Sequence, residues 1–117
     1  MSVNSLATFY KLGLATAEQA NELASRTMDV CLAVARVAAG AGQIPRDDVY
    51  DVAADALVRA FDRIQTWDPA RAGWRTYTSI IARSQVQNFR RWQQRQQNCL
   101  AAAMEIAIEN GTLTTPE

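Results

Sequence analysis

Between Val49 and Ile64 the residues Val49, Val52, Ala53, Ala56, Leu57, Ala60, Phe61 and Ile64 recur at alternating spacings of three and one. That is the period of one face of an α-helix, held over about four turns. The other face carries Asp48, Asp51, Asp55, Arg59, Asp62 and Arg63. A helix that is apolar on one side and charged on the other must bury its apolar side, so this stretch alone demands a core built with other helices. We assign one helix to 46–66. Pro45 suits its start because its φ is fixed, and Asp47 and Asp48 suit the positive end of the helix dipole.

The flanking elements follow from local signals. Thr16 with Gln19 three residues on is a capping box, so a helix runs from Ala17 to about Ala39. It has Leu23, Val30, Val34 and Val37 on one side, and Gly40 and Gly42 end it. Residues 4–14 read as a short helix with Leu6, Phe9, Tyr10 and Leu14 on one side, weakened by Gly13. Trp67-Asp68-Pro69-Ala70-Arg71-Ala72-Gly73 is a loop punctuated by Pro and Gly. A last helix opens near Trp74, runs at least to Gln97 and holds Trp74, Tyr77, Ile80, Ile81, Val86, Phe89 and Trp92. Asn98 to Asn110 is again helix-prone, either continuing that helix or following a break, and Thr112 to Glu117 reads as a frayed tail.

No strand signal or repeat is visible, so the expected fold is an all-α small helical bundle. Helices 17–39 and 46–66 lie antiparallel across a short connection. The domain spans 1–97, with a C-terminal helix and tail over 98–117. The expected core is Leu23, Val30, Val34, Val49, Val52, Leu57, Ala60, Phe61, Ile64, Tyr77 and Ile81.

Composition narrows the function. The chain has 117 residues, 49% hydrophobic and 21% charged, which suits one folded domain. No apolar run nears the roughly 20 residues that span a membrane, and no signal peptide is visible before Thr16. The chain reads as cytoplasmic, with no membrane partner. Histidine is absent, and Cys31 and Cys99 are far apart. No metal site, no cofactor and no catalytic residue is therefore expected. Asp51 and Asp55 are neighbours on a helix face, but a solvated face explains them better than a catalytic pair. Phosphate-loop, HExxH and serine motifs are also missing, and the chain reads as a non-enzyme.

The net charge of +0 hides an asymmetry. Six aspartates lie between Asp47 and Asp68, whereas Pro69 to Met104 holds six arginines and no acid. Aromatics are interleaved with those arginines. Aromatic faces stack on exposed bases while Arg holds a phosphate path. Trp67 and Trp74 flank the loop and could serve either the core or a nucleic acid. Arg90, Arg91 and Arg95 could contact phosphate or simply form a solvated helix end. Gln93, Gln94, Gln96 and Gln97 read as surface helix formers.

Taken in order, Cys31-Leu32-Ala33-Val34-Ala35-Arg36, then Asp51-Val52-Ala53-Ala54-Asp55-Ala56-Leu57-Val58-Arg59-Ala60-Phe61, then Trp67-Asp68-Pro69-Ala70-Arg71-Ala72-Gly73-Trp74-Arg75-Thr76-Tyr77, Ile81-Ala82-Arg83-Ser84 and Asn88-Phe89-Arg90-Arg91 resemble region 2 of bacterial sigma factors. The likeness is to the extracytoplasmic-function type and covers residues 28–95. It implies a transcription initiation factor. The acidic helix would dock on the clamp helices of the largest RNA polymerase subunit through Asp48, Asp51, Asp55, Arg59 and Asp62. Promoter DNA, single-stranded at the −10 element, would meet Trp67, Arg71, Trp74, Arg75, Arg83, Ser84, Gln87, Arg90, Arg91 and Arg95.

The sequence departs from the family pattern at Ala54-Asp55 (usually Gln-Glu), at Arg71-Ala72-Gly73 (usually Arg-Gly) and at Ser84 (usually Asn). No helix-turn-helix of the kind that reads the −35 element follows. The resemblance therefore implies a minimal sigma factor that opens promoters alone, or one half of a split sigma factor acting with a separate −35-reading subunit, either of them open to an anti-sigma protein and of host or phage origin. The alternatives are a polymerase-binding modulator or inhibitor without specific promoter reading, and a helical structural or assembly protein.

Overall fold

The first helix ends sooner than its apolar pattern, at a glycine that only a left-handed turn explains. In the computed structural model, which describes residues 1–111, α1 spans Val3–Lys11 and Gly13 sits at φ +74°. Leu14 N–H bonds Phe9 O and Gly13 N–H bonds Tyr10 O, at 2.8 and 3.0 Å, the paired bonds of a Schellman turn. Leu14, expected on the helix, lies beyond it and is exposed. Helix α2 spans Ala17–Gly40. Its capping box is present, with Gln19 N–H on Thr16 Oγ1 at 3.2 Å and Thr16 N–H on Gln19 Oε1 at 3.0 Å. Gly42, at φ +75°, closes its far end in the same way as Gly13.

The stretch expected as one helix over 46–66 is divided. A 3-10 turn at Arg46–Asp48 leads into α3, Val49–Asp62, and a second 3-10 turn covers Ile64–Thr66. Arg63, at φ −102° and ψ 10°, makes the break. The break turns the chain so that Ile64 and Trp67 both point inward. Helix α4 then runs unbroken over Trp74–Glu109, so the segment from Asn98 is its last third and not a separate C-terminal helix. The expected frayed tail, Thr112 to Glu117, lies outside the described residues. Among the described residues the fold is all-α, with no strand and with no helix long and apolar enough to cross a membrane.

Helices α2, α3 and the first half of α4 pack mutually, and α1 lies across one end. Two sets of buried residues result. One holds Cys31, Ala35, Ala38, Ile44, Val49, Val52, Ala53, Ala56, Ala82 and Val86. Its small side chains let the helix axes approach closely. The other holds Leu6, Ala7, Leu23, Ala60, Ile64, Trp67, Trp74 and Ile81.

The expected core is corrected at several positions. Val30, Val34, Leu57, Phe61 and Tyr77 are half-buried. On α2 the buried line runs through Leu23, Thr27, Cys31, Ala35 and Ala38, and Val37 is 74% exposed. Alanines all round α2 blur the contrast between its faces, so the valines misplace its buried side.

Both buried indoles find acceptors. The Trp74 indole N–H donates to Thr27 Oγ1 at 2.9 Å, and Thr27 donates to Leu23 O at 2.6 Å. The Trp67 indole donates to Ala72 O at 2.9 Å. From α1, Asn4 Oδ1 accepts the Trp74 backbone N–H at 2.8 Å and so caps α4 from a distance. A Cβ on Gly73 would come within 3.2 Å of that Asn4 side chain, which favours glycine there.

Truncating Trp74 removes one of the two indole rings in this set along with the Thr27 bond. Trp74→Ala should cost about 3–5 kcal/mol, whereas Phe61→Ala, at a half-buried site, should cost less. Urea unfolding of the two variants checks the order; equal losses would contradict the packing described.

Candidate polymerase and nucleic-acid faces

The acidic face is one line along α3. At 100° per residue Asp48, Asp51, Asp55, Val58 and Asp62 project together. Asp51, Asp55 and Asp62 are exposed, and Asp48 and Arg59 are half-buried. Beside this line, Asp55, Val58, Arg59 and Asp62 of α3, Arg63 at the break and Gln85 of α4 border an open groove of about 470 Å³. Among the described residues Gln85 Oε1 is buried there without a hydrogen-bond partner. This buried acceptor is missed in the sequence. Only its place on the inner side of α4 gives it away, and sequence spacing alone does not fix that side.

The second face runs down the outer side of α4. Ile80, Arg83, Ser84, Gln87, Arg90, Arg91 and Gln94 follow at spacings that keep them on one side, and all are exposed. The line is about 21 Å long at 1.5 Å per residue. Arg90 donates to Gln87 Oε1 at 3.4 Å, which leaves most of its guanidinium free. Ile80, 54% exposed, is an apolar member that charge-based reading overlooks.

Arg75 and Arg95 are exposed but lie off this line, and Arg71 is exposed in the loop. The first turn of α4 carries Arg75 and no acid, the arrangement a helix dipole disfavours by a few tenths of a kcal/mol or more. Arg75 therefore does not stabilise the start of its own helix.

Trp67 and Trp74 require the main correction to the candidate site. Each is 1% exposed. Their rings meet edge to face at 5.3 Å, and Phe61 meets Trp74 in the same way at 6.1 Å. Neither ring offers a face to a base in this conformation. The cause is α1, whose Leu6 and Ala7 pack into the same set. That helix lies outside the stretch that carries the family resemblance. The loop between the tryptophans is held by Asp68 Oδ1, which accepts Ala70 N–H at 3.0 Å.

The two faces are not neutralised from within. Among the described residues the one ion pair is Arg26–Glu22, at 2.7 Å on α2. Among the described residues no group of three His, Cys, Asp or Glu could hold a metal ion.

The cysteines differ. Cys99 is exposed, whereas Cys31 is buried, and burial pushes its thiol up from 9.0 to about 11 against a smaller lowering by a backbone hydrogen bond. An alkylating reagent should label Cys99 in the native protein and Cys31 only after unfolding, as read by mass spectrometry. Because the folded thiol holds its proton to higher pH than the unfolded one, its stabilising contribution is complete below pH 9 and is lost as pH rises towards 11. Denaturant midpoints across that range should fall more steeply for the parent than for Cys31→Ala. No protein-family model, no curated protein and no solved structure matches this chain.

Proposed function

We propose that the protein is a sigma-like transcription factor that docks on RNA polymerase core through α3 and follows promoter DNA with the outer face of α4. The observation that carries this reading is the separation of the two faces. An acidic line on α3 and a basic, glutamine-containing line on α4 are both largely exposed, and among the described residues neither forms an ion pair. Unpaired charge of opposite sign on two sides suits two different partners. It agrees with the order of motifs shared with sigma region 2.

A second reading is favoured by one specific feature. Because Trp67 and Trp74 are core residues, a flipped base finds no stacking platform in the loop. The protein would then bind polymerase and the DNA backbone without reading bases, as a modulator of transcription. Both readings are of a binding module and not of an enzyme.

Capture of polymerase core from a bacterial lysate, with the parent and with Asp51→Arg/Asp55→Arg, tests the docking face. The parent should retain polymerase and the variant should lose it while keeping its helical circular dichroism. Failure of the folded parent to capture polymerase from a suitable host would end the transcription reading.

On DNA, Arg83→Gln/Arg90→Gln should weaken binding and lower the salt slope by about one for each phosphate no longer neutralised. Tighter binding to a −10-like single strand than to a scrambled one would support the sigma reading. Equal binding would support the modulator.

A further inference from the structure

The bundle ends well before α4 does. Residues 90–111 include no buried residue, and Arg90–Glu109 extends about 30 Å at 1.5 Å per residue. The radius of gyration is 19.5 Å, against about 13 Å for a compact chain of this length. The arm is amphipathic. Phe89, Trp92, Gln96, Cys99, Ala103 and Ile106 follow at alternating spacings of three and four, the seam of a two-helix coiled coil. Leu100 borders that seam, whereas Met104 and Ile108 lie away from it. Trp92, Leu100, Met104 and Ile106 are 50%, 62%, 40% and 58% exposed. The seam also continues the side of α4 that carries Ile81, Gln85 and Phe89 within the bundle, so the surface that builds the core runs on uncovered.

Charge says what covers it. The near end of the arm carries Arg90, Arg91 and Arg95, and the far end carries Glu105 and Glu109. Acids at a helix C-terminus oppose its dipole, so these glutamates do not serve the arm's own stability. A second arm laid antiparallel would bring Arg95 of each copy to Glu109 of the other, twice over by symmetry. Setting Ala103 against Cys99 of the second copy, and Gln96 against Ile106 of the second copy, puts Arg95 beside Glu109 of the second copy at the edge of the seam. A parallel pair would set like charge against like. In the antiparallel register the second copy's helix ends near Trp92, so the two bundles lie at opposite ends and do not collide.

We propose that the arm of α4 is a self-association surface, and that two copies pair antiparallel through residues 92–109. Gln96, a polar residue set against an apolar one in the seam, lowers the affinity. The pair is a reversible one.

Sedimentation equilibrium of the full chain at concentrations up to about 100 μM covers the range expected for a weak helix pair. The parent should rise from one to two chain masses. Arg91→Glu/Arg95→Glu and Glu105→Arg/Glu109→Arg each bring like charges together and should remain monomeric. Both sites are exposed beyond the bundle, so both variants should stay folded by circular dichroism. An equimolar mixture of the two variants restores every attraction and should dimerise as the parent does. A parent that stays monomeric throughout would overturn the proposal, leaving the seam to a different protein. Variants that dimerise alone, or a mixture that does not, would overturn the antiparallel pairing.

Discussion

The bond from the Trp74 indole to Thr27 joins α4 to α2 in the driest part of the molecule, and the remaining packing is arranged around it. Thr27 gives its proton to Leu23 O, so its oxygen is free to accept from Trp74. An indole N–H left unpaired at such a site would cost about 1–3 kcal/mol, so the ring has little freedom to sit elsewhere. Its position sets the start of α4. The backbone N–H of the same residue takes Asn4 of α1, and the ring touches Trp67, Phe61 and Tyr77. One residue thus ties α1, α2, α3 and the loop to the helix that carries the basic face.

Helices were legible because their signals are local. The Thr16–Gln19 box, the stripe of α3 and the glycine at 42 each act within a turn or two, and each has a structural counterpart. The buried side of α2 was not legible. Alanine is tolerated both inside and outside, and the valines that stood out include the exposed Val37. The break at Arg63 was hidden because Ile64 continues the apolar period across it.

The candidate site was legible in its charges and illegible in its rings. Arginines and aspartates on exposed helix faces can be placed from spacing alone. Whether Trp67 and Trp74 face solvent depends on a helix more than fifty residues earlier in the chain. Long-range packing of that kind leaves no periodic mark. The consequence is chemical: the guanidinium groups of Arg83, Arg90 and Arg91 are available on the surface, whereas the indole faces of Trp67 and Trp74 are not.

The continuity of α4 has a further consequence. A rod without a hinge fixes rotation as well as length, so the arm's seam holds a constant phase relative to the bundle. Removing one residue between Gln93 and Asn98 would turn everything beyond it by about 100° and shorten the rod by about 1.5 Å. Removing seven would shorten it by about 10 Å yet return the distal side close to its original bearing. Whatever meets the end of this helix is therefore presented at an angle set by the bundle, as teeth on a shaft are set by its key.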